Sequence, residues 1–293
     1  MARRAVVTAG TGGIGLETAL GLANAGFAVT VVGRNTERGT RAVEKINARG
    51  GEPARFLQAD LASLAEVRRL GERVAAEGEL AVLVNNVGAM FADRTELDGV
   101  EATFVVNHLS PYLLTELLLP ALKAGAPSRV VNVTSGAVAL AKKVFDEVEP
   151  PGGYYGFHWY GRAKLAHLAH TLDLAERLKD SGVSVLAADP GGAATDMTDG
   201  TMRNSKIVSP ALRLLWPLVR RKFERSTSGP AWHAARSSIT AATAPLPTGL
   251  LIGPQTTPVT PVKAARDPRV IAAVRRLTDQ HAPIHRVPDE VSN

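Results

Sequence analysis

Short, nearly continuous apolar runs alternate along the chain with longer stretches in which apolar residues recur every three or four positions. The first pattern predicts strands buried on both faces, the second amphipathic helices. The strand-like runs are Arg4–Thr8, Ala28–Val32, Ala54–Gln58, Leu80–Val84, Arg129–Val133 and Val183–Ala188, with Gly249–Ile252 as a seventh. Helical periodicity follows most of them: Leu16 to Ala23, Thr36–Arg49, Leu64–Ala75, Thr95–Ala124 and Tyr160–Leu178, with Asp267–Gln280 last. Thr256–Pro261 reads as an extended tail. This alternation predicts one α/β domain over residues 1–293: a doubly wound parallel sheet of about seven strands, with helices on both faces and right-handed crossovers.

Polar and Gly-rich clusters stand at the C-terminal ends of these strands, where open α/β sheets bind ligands. Thr8-Ala9-Gly10-Thr11-Gly12-Gly13-Ile14-Gly15 joins the first strand to the first helix. Glycines there let the backbone turn sharply and approach a pyrophosphate, and the helix N-terminus presents free N–H groups to it. The second strand ends at Gly33-Arg34-Asn35, with no acidic residue from Val32 to Asn35. A guanidinium at the adenosine ribose favours a 2′-phosphate, so the pattern predicts NADP(H) over NAD(H). Asp60, before Leu61, either accepts a hydrogen bond from an adenine amino group or caps a turn. The fourth strand ends at Asn85-Asn86-Val87-Gly88, the fifth at Thr134-Ser135 and the sixth at Asp189-Pro190-Gly191-Gly192.

Composition narrows the classes. The chain has no cysteine, which excludes disulfides and thiolate metal sites. The formal charge of +6 is spread out rather than gathered into an aromatic-interleaved basic stripe, which argues against nucleic acid as a partner. No apolar run reaches membrane-span length, and Gly10, Gly12 and Gly13 interrupt the N-terminal run too early for a signal peptide; a cytoplasmic protein is the expectation. His167 and His170, three apart on one helix, form either a metal pair or core histidines; no third ligand has suitable spacing, so no metal is expected.

Tyr160-Gly161-Arg162-Ala163-Lys164 is the only Tyr-x-x-x-Lys in the chain. Residues four apart share a helix face, so the ammonium is expected to lower the phenol pKa and fit it for proton transfer to a carbonyl or alcohol oxygen. Taken with Thr8…Gly13-Ile14-Gly15, Asp60-Leu61, Asn85-Asn86-Val87-Gly88, Asn107, Ser135 and Pro190-Gly191…Thr195, in that order, the chain resembles the short-chain dehydrogenase/reductase family. Val106-Asn107-His108-Leu109 and the long insertion after Ser135 resemble its retinol-dehydrogenase-like branch. Ala9 stands where the family usually has Gly, and Val87 replaces the Ala of Asn-Asn-Ala-Gly.

The resemblance implies a Rossmann-type fold and hydride transfer between nicotinamide and a carbon–oxygen centre of a small-molecule substrate. Tyr160 would be the general acid or base and Ser135 would hydrogen-bond the substrate oxygen. Lys164 would hold nicotinamide-ribose hydroxyls, and Asn107 would help hold Lys164 through a water. Asn86 and Gly88 would line the adenosine side; Pro190, Gly191 and Thr195 would lie by the nicotinamide. Homodimers or homotetramers are common in the family. Residues 136–159 hold Phe145, Tyr154, Tyr155, Phe157 and Trp159, which either wall a bulky apolar pocket or pack a long loop. Residues 196–225 read as a lid over substrate or a basic amphipathic segment touching membrane, and 254–293 as a C-terminal tail. Non-redox chemistry on the same scaffold and a cofactor-sensing binding protein are the competing readings.

Overall fold

The computed structural model describes residues 2–149, 152–192, 207–213, 217, 221 and 229–284. Its centre is an eight-stranded sheet. In chain order the strands are β1 (Arg4–Val7), β2 (Ala28–Gly33), β3 (Arg55–Gln58), β4 (Val82–Asn85), β7 (Ser128–Val133), β8 (Val183–Ala188), β9 (Leu251–Ile252) and β10 (Pro258–Val259). Their spatial order is β10-β9-β8-β7-β4-β1-β2-β3. The seven strands legible in the sequence all run parallel. The eighth, β10, lies within the segment read as an extended tail and pairs antiparallel with β9.

Side chains alternate along each strand and so feed two separate cores. Val6, Val32, Leu83, Val130 and Val185 point into one; Ala5, Val7, Val31, Val84, Val131 and Leu186 point into the other. The first core is covered by α3 (Leu64–Ala75), α4 (residues 102–124) and α5 (Gly156–Arg177), and behind them by α7 (Pro268–His281). The second is covered by α1 (Gly13–Asn24), α2 (Thr36–Asn47) and α6 (Ala231–Thr243). Because the strand order reverses between β1 and β4, their C-terminal ends open a crevice at the sheet edge.

Two elements depart from the periodicity. The stretch Thr95–Ala124 does not begin as helix: β5 (Glu96–Leu97) and β6 (Val100–Glu101) form a hairpin. Its turn residues Asp98 and Gly99 both have positive φ, 51° and 76°, as an Asp-Gly hairpin turn requires. The helix α4 then runs through Ala102–Phe104, a π-helical turn at Val105–Leu109 and Ser110–Ala124. The other departure is α6, whose Ala- and Ser-rich sequence carries little apolar signal. Its buried face is built from Ala234, Ala235, Ser237, Ser238, Ala241 and Ala242, small residues that let it lie close against α1. Among the described residues no helix is long and apolar enough to cross a membrane.

His108, His167 and His170 are buried between α4, α5 and α7, with ring centroids 6.0 to 6.3 Å apart. A His108 ring nitrogen is 2.7 Å from the Thr278 hydroxyl of α7. Burial holds all three below the ordinary histidine range, His170 at about 4. They are neutral in the fold, whereas the unfolded chain binds protons at histidine below about pH 6.5. The contribution of these sites to stability is therefore full above that pH and falls as pH drops, by roughly 1.4 kcal/mol per unit for each site still neutral. The urea midpoint is expected to fall between about pH 7 and about pH 5.5, before carboxylates titrate; a flat or rising midpoint would contradict neutral burial. The turn before α1 gives a second prediction. Ala9 has φ of 49°, a conformation that suits glycine. Ala9→Gly should stabilise the protein by about 0.5–1 kcal/mol, read from the same unfolding curves.

Candidate active site

The crevice holds about 1040 Å³ and runs from the β2 end past the glycine turn to the β7 and β8 ends. Of the residues singled out in the sequence, Gly12, Gly13, Ile14, Arg34, Asn35, Asp60, Leu61, Asn86, Gly88, Ser135, Tyr160, Lys164, Pro190 and Gly191 line it. Thr8, Gly10, Gly15 and Asn107 stand behind its wall. Thr195 lies outside the described residues, as does most of 196–225.

Each residue behind the wall has a bonding or packing role. The buried Thr8 hydroxyl accepts from the Asn86 and Val87 N–H groups (2.9 and 3.3 Å), tying the turn to the β4 exit. The Gly10 N–H donates to the Val32 carbonyl at 3.0 Å, anchoring the turn to β2. A Cβ on Gly15 would collide with the Ala9 carbonyl and the Asn86 amide, so only glycine lets α1 start this close to the turn. A Cβ on Gly12, by contrast, would meet nothing within 4 Å, because Gly12 faces the open crevice. The N-terminus of α1 has no side-chain cap and no acidic residue in its first turn. Its free N–H groups and partial positive charge suit a phosphate, and the open space at Gly12 suits its approach.

At the far end, Arg34 is exposed on the crevice. The Asn35 side chain accepts from the Arg38 N–H at 2.8 Å and caps α2. Arg38 and Lys45 also face the crevice, so three cations gather where the sequence singled out one. Arg38 and Lys45 stand seven apart on α2, and that spacing was the available signal. Asp60 accepts from the Ala62 N–H at 3.0 Å, the turn-capping role, while its own N–H donates to Glu66 at 2.7 Å.

At the near end, Ser135 closes β7 and Tyr160 and Lys164 come from α5. The Ser135 side chain lies close enough to the phenol of Tyr160 to act on its pKa. Gly161 makes this possible: a Cβ there would sit 2.5 Å from the Ala137 carbonyl, so glycine lets α5 press against the turn after Ser135. The expected acidification of Tyr160 by Lys164 is not found. Burial pushes the phenol up to about 12; Ser135 opposes the rise and Asp189 adds to it. Lys164 is itself pulled down to about 7 by burial. Two of its three donors go to the carbonyls of Val87 (2.9 Å) and Val133 (3.0 Å). Its charge is thus weakened and directed at the strand ends rather than the phenol.

Asn107 sits in the π-helical turn of α4. Its amide donates to the Thr103 and Ala89 carbonyls (2.8 and 2.7 Å), and its oxygen accepts from the Ala89 N–H at 3.1 Å. It therefore fixes the Val87–Ala89 loop that receives Lys164. Pro190 and Gly191 line the crevice, with the Gly191 N–H donating to Asp189 at 2.9 Å. The aromatics of 136–159 mostly pack the loop itself. Phe145 is 2% exposed under Arg162, and Tyr154 lies on Trp159 with ring centroids 4.8 Å apart. Of the five, Phe157 lines the crevice, beside Met90, Phe91 and Val106, which the sequence reading did not single out. Ile207 and Val208 pack into the same apolar cluster with Tyr160, Met90 and Phe157.

Comparisons with known proteins agree with this architecture. The family model described as short chain dehydrogenase matches residues 3–206. Retinol dehydrogenase 12 of Mus musculus is 37% identical over 227 residues, 76% of this chain and 69% of that protein. Retinol dehydrogenase 13 of Homo sapiens is 37% identical over 229 residues, 73% of this chain and 67% of that protein. Among solved structures, an uncharacterised protein of Mycobacterium paratuberculosis superposes with a TM-score of 0.74 at 28% identity, covering 96% of this chain and 93% of that one. The Pseudomonas aeruginosa RhlG/NADP complex gives 0.66 at 27%, covering 86% and 94%. With its sheet order and strand-end motifs already in place, the chain belongs to the short-chain dehydrogenase/reductase family, in its retinol-dehydrogenase-like branch.

Proposed function

We propose that the protein is an NADP(H)-dependent oxidoreductase acting on a bulky apolar ketone or the corresponding alcohol. The convergence of Ser135, Tyr160 and Lys164 on one crevice carries this reading. The nicotinamide of the cofactor would supply or accept the hydride. A phenol with its pKa near 12 is fully protonated at neutral pH, so Tyr160 stands ready as the acid in reduction. Its proton passes from the phenol oxygen to the substrate oxygen. Ser135 donates a hydrogen bond to that same oxygen as negative charge gathers there. Lys164, anchored on two carbonyls, would hold the ribose hydroxyls beside the nicotinamide. The Gly12–Ile14 backbone would bind the pyrophosphate.

Arg34, Arg38 and Lys45 support a 2′-phosphate by charge, and the two arginines also by the forked donors of a guanidinium. RhlG, which shares 27% identity, was solved with NADP. Met90, Phe91, Val106 and Phe157 give the substrate side its apolar character. The intact proton-donating pair distinguishes this reading from a non-redox one or a cofactor sensor, which have no need of it.

Tyr160→Phe should lower turnover of NADPH with an apolar ketone by about a hundredfold or more while NADPH still binds, measured by absorbance and by fluorescence. Undiminished turnover would remove Tyr160 from the mechanism. Arg34→Asp should shift the NADPH-over-NADH preference by at least about tenfold, read as a ratio of kcat/KM values. An unchanged ratio would move the discrimination to Arg38 and Lys45.

A further inference from the structure

Arg162 lies two residues beyond Tyr160 on α5 and is 2% exposed. Its guanidinium is spent on backbone. Nε and Nη2 donate to the Val144 carbonyl (3.1 and 2.8 Å), Nη2 also to Glu147 (2.6 Å), and Nη1 to Val148. Its carbon sits 4.3 Å from the centre of the Phe145 ring. Glu101, 2% exposed, attracts it across the core. The Glu101 carboxylate is itself engaged, accepting from the Thr103 and Phe104 N–H groups (2.8 and 2.9 Å) at the start of α4. Burying a cation without a bonded carboxylate is costly, and one long surface loop could be tied down by cheaper means.

The residue joins two segments next to the site. Residues 141–149 continue the chain from Ser135, and α5 carries Tyr160 and Lys164. Gly161, next to Arg162, presses against the Ala137 carbonyl just past Ser135. Resting on the oxidoreductase reading above, we propose that Arg162 is a positioning residue: by clamping the 144–148 carbonyls onto α5 it sets the placement of Ser135 against Tyr160. It does not line the crevice. Geometry, not charge, is its means of action. Lysine, a point charge with a single ammonium, cannot reproduce a fork bonded to three carbonyls.

The test is Arg162→Lys, assayed beside the wild type with NADPH and an apolar ketone. The number of sites is counted by NADPH fluorescence titration. Turnover per NADPH-binding site should fall by about a hundredfold while the NADPH Kd stays within about twofold, because reacting groups misplaced by about 1 Å lose that much rate. A purely structural role would reduce the number of binding sites and leave turnover per site unchanged; that result overturns the proposal. If Arg162→Lys does not fold, Phe145→Leu, which removes the ring beneath the guanidinium, must show the same split in weaker form, and its absence overturns the proposal equally. A wild type that binds NADPH but reduces no ketone would sink the oxidoreductase reading and this one with it. An active wild type with no split in the variants would sink this one alone.

Discussion

A buried ammonium held by two strand ends is the constraint on which the near end of the site depends. Lys164 donates to Val87, at the exit of β4, and to Val133, at the exit of β7. Those strands are neighbours in the sheet, so the lysine ties their C-terminal ends together beside the crevice. The cost of burying the charge is visible in its lowered pKa, and the carbonyl dipoles offset part of it. Asn107 stabilises the same junction from behind by bonding both backbone groups of Ala89. The helical irregularity at Val105–Leu109 surrounds that asparagine, as is common where function bends a helix.

The phosphate end of the crevice is organised differently. There the backbone performs the recognition and side chains brace it. Thr8 locks the turn onto β4 and Gly10 locks it onto β2, and the lack of a Cβ at Gly15 lets α1 begin within reach. The strain at Ala9 is the exception, a left-handed residue with a side chain where none is wanted. The bracing on either side holds it in place.

Much of this was legible in the sequence. All seven parallel strands could be read from apolar runs, because a strand covered on both faces has no polar side to break the pattern. The Tyr160–Lys164 spacing and the Gly-rich turn placed both ends of the crevice. What could not be read was set by tertiary packing. The helix α6 is made of alanines and serines and declares itself only where α1 lies against it. The Asp98-Gly99 turn was a local signal masked by the helical pattern beyond it. The ionisation of Tyr160 follows from how deeply the phenol is sunk, and no spacing rule contains that. Nor does spacing show that Phe145 and Tyr154 turn inward while Phe157 turns to the crevice.

The last strand has a meaning for the molecule's company as well as its shape. A parallel sheet ending at β9 would offer a short row of backbone groups to any passing chain. β10 covers that row in antiparallel sense, and its first residue, Pro258, has no N–H to extend the ladder further. This rim of the sheet thus ends in a two-residue strand that offers little ladder for a further strand to extend.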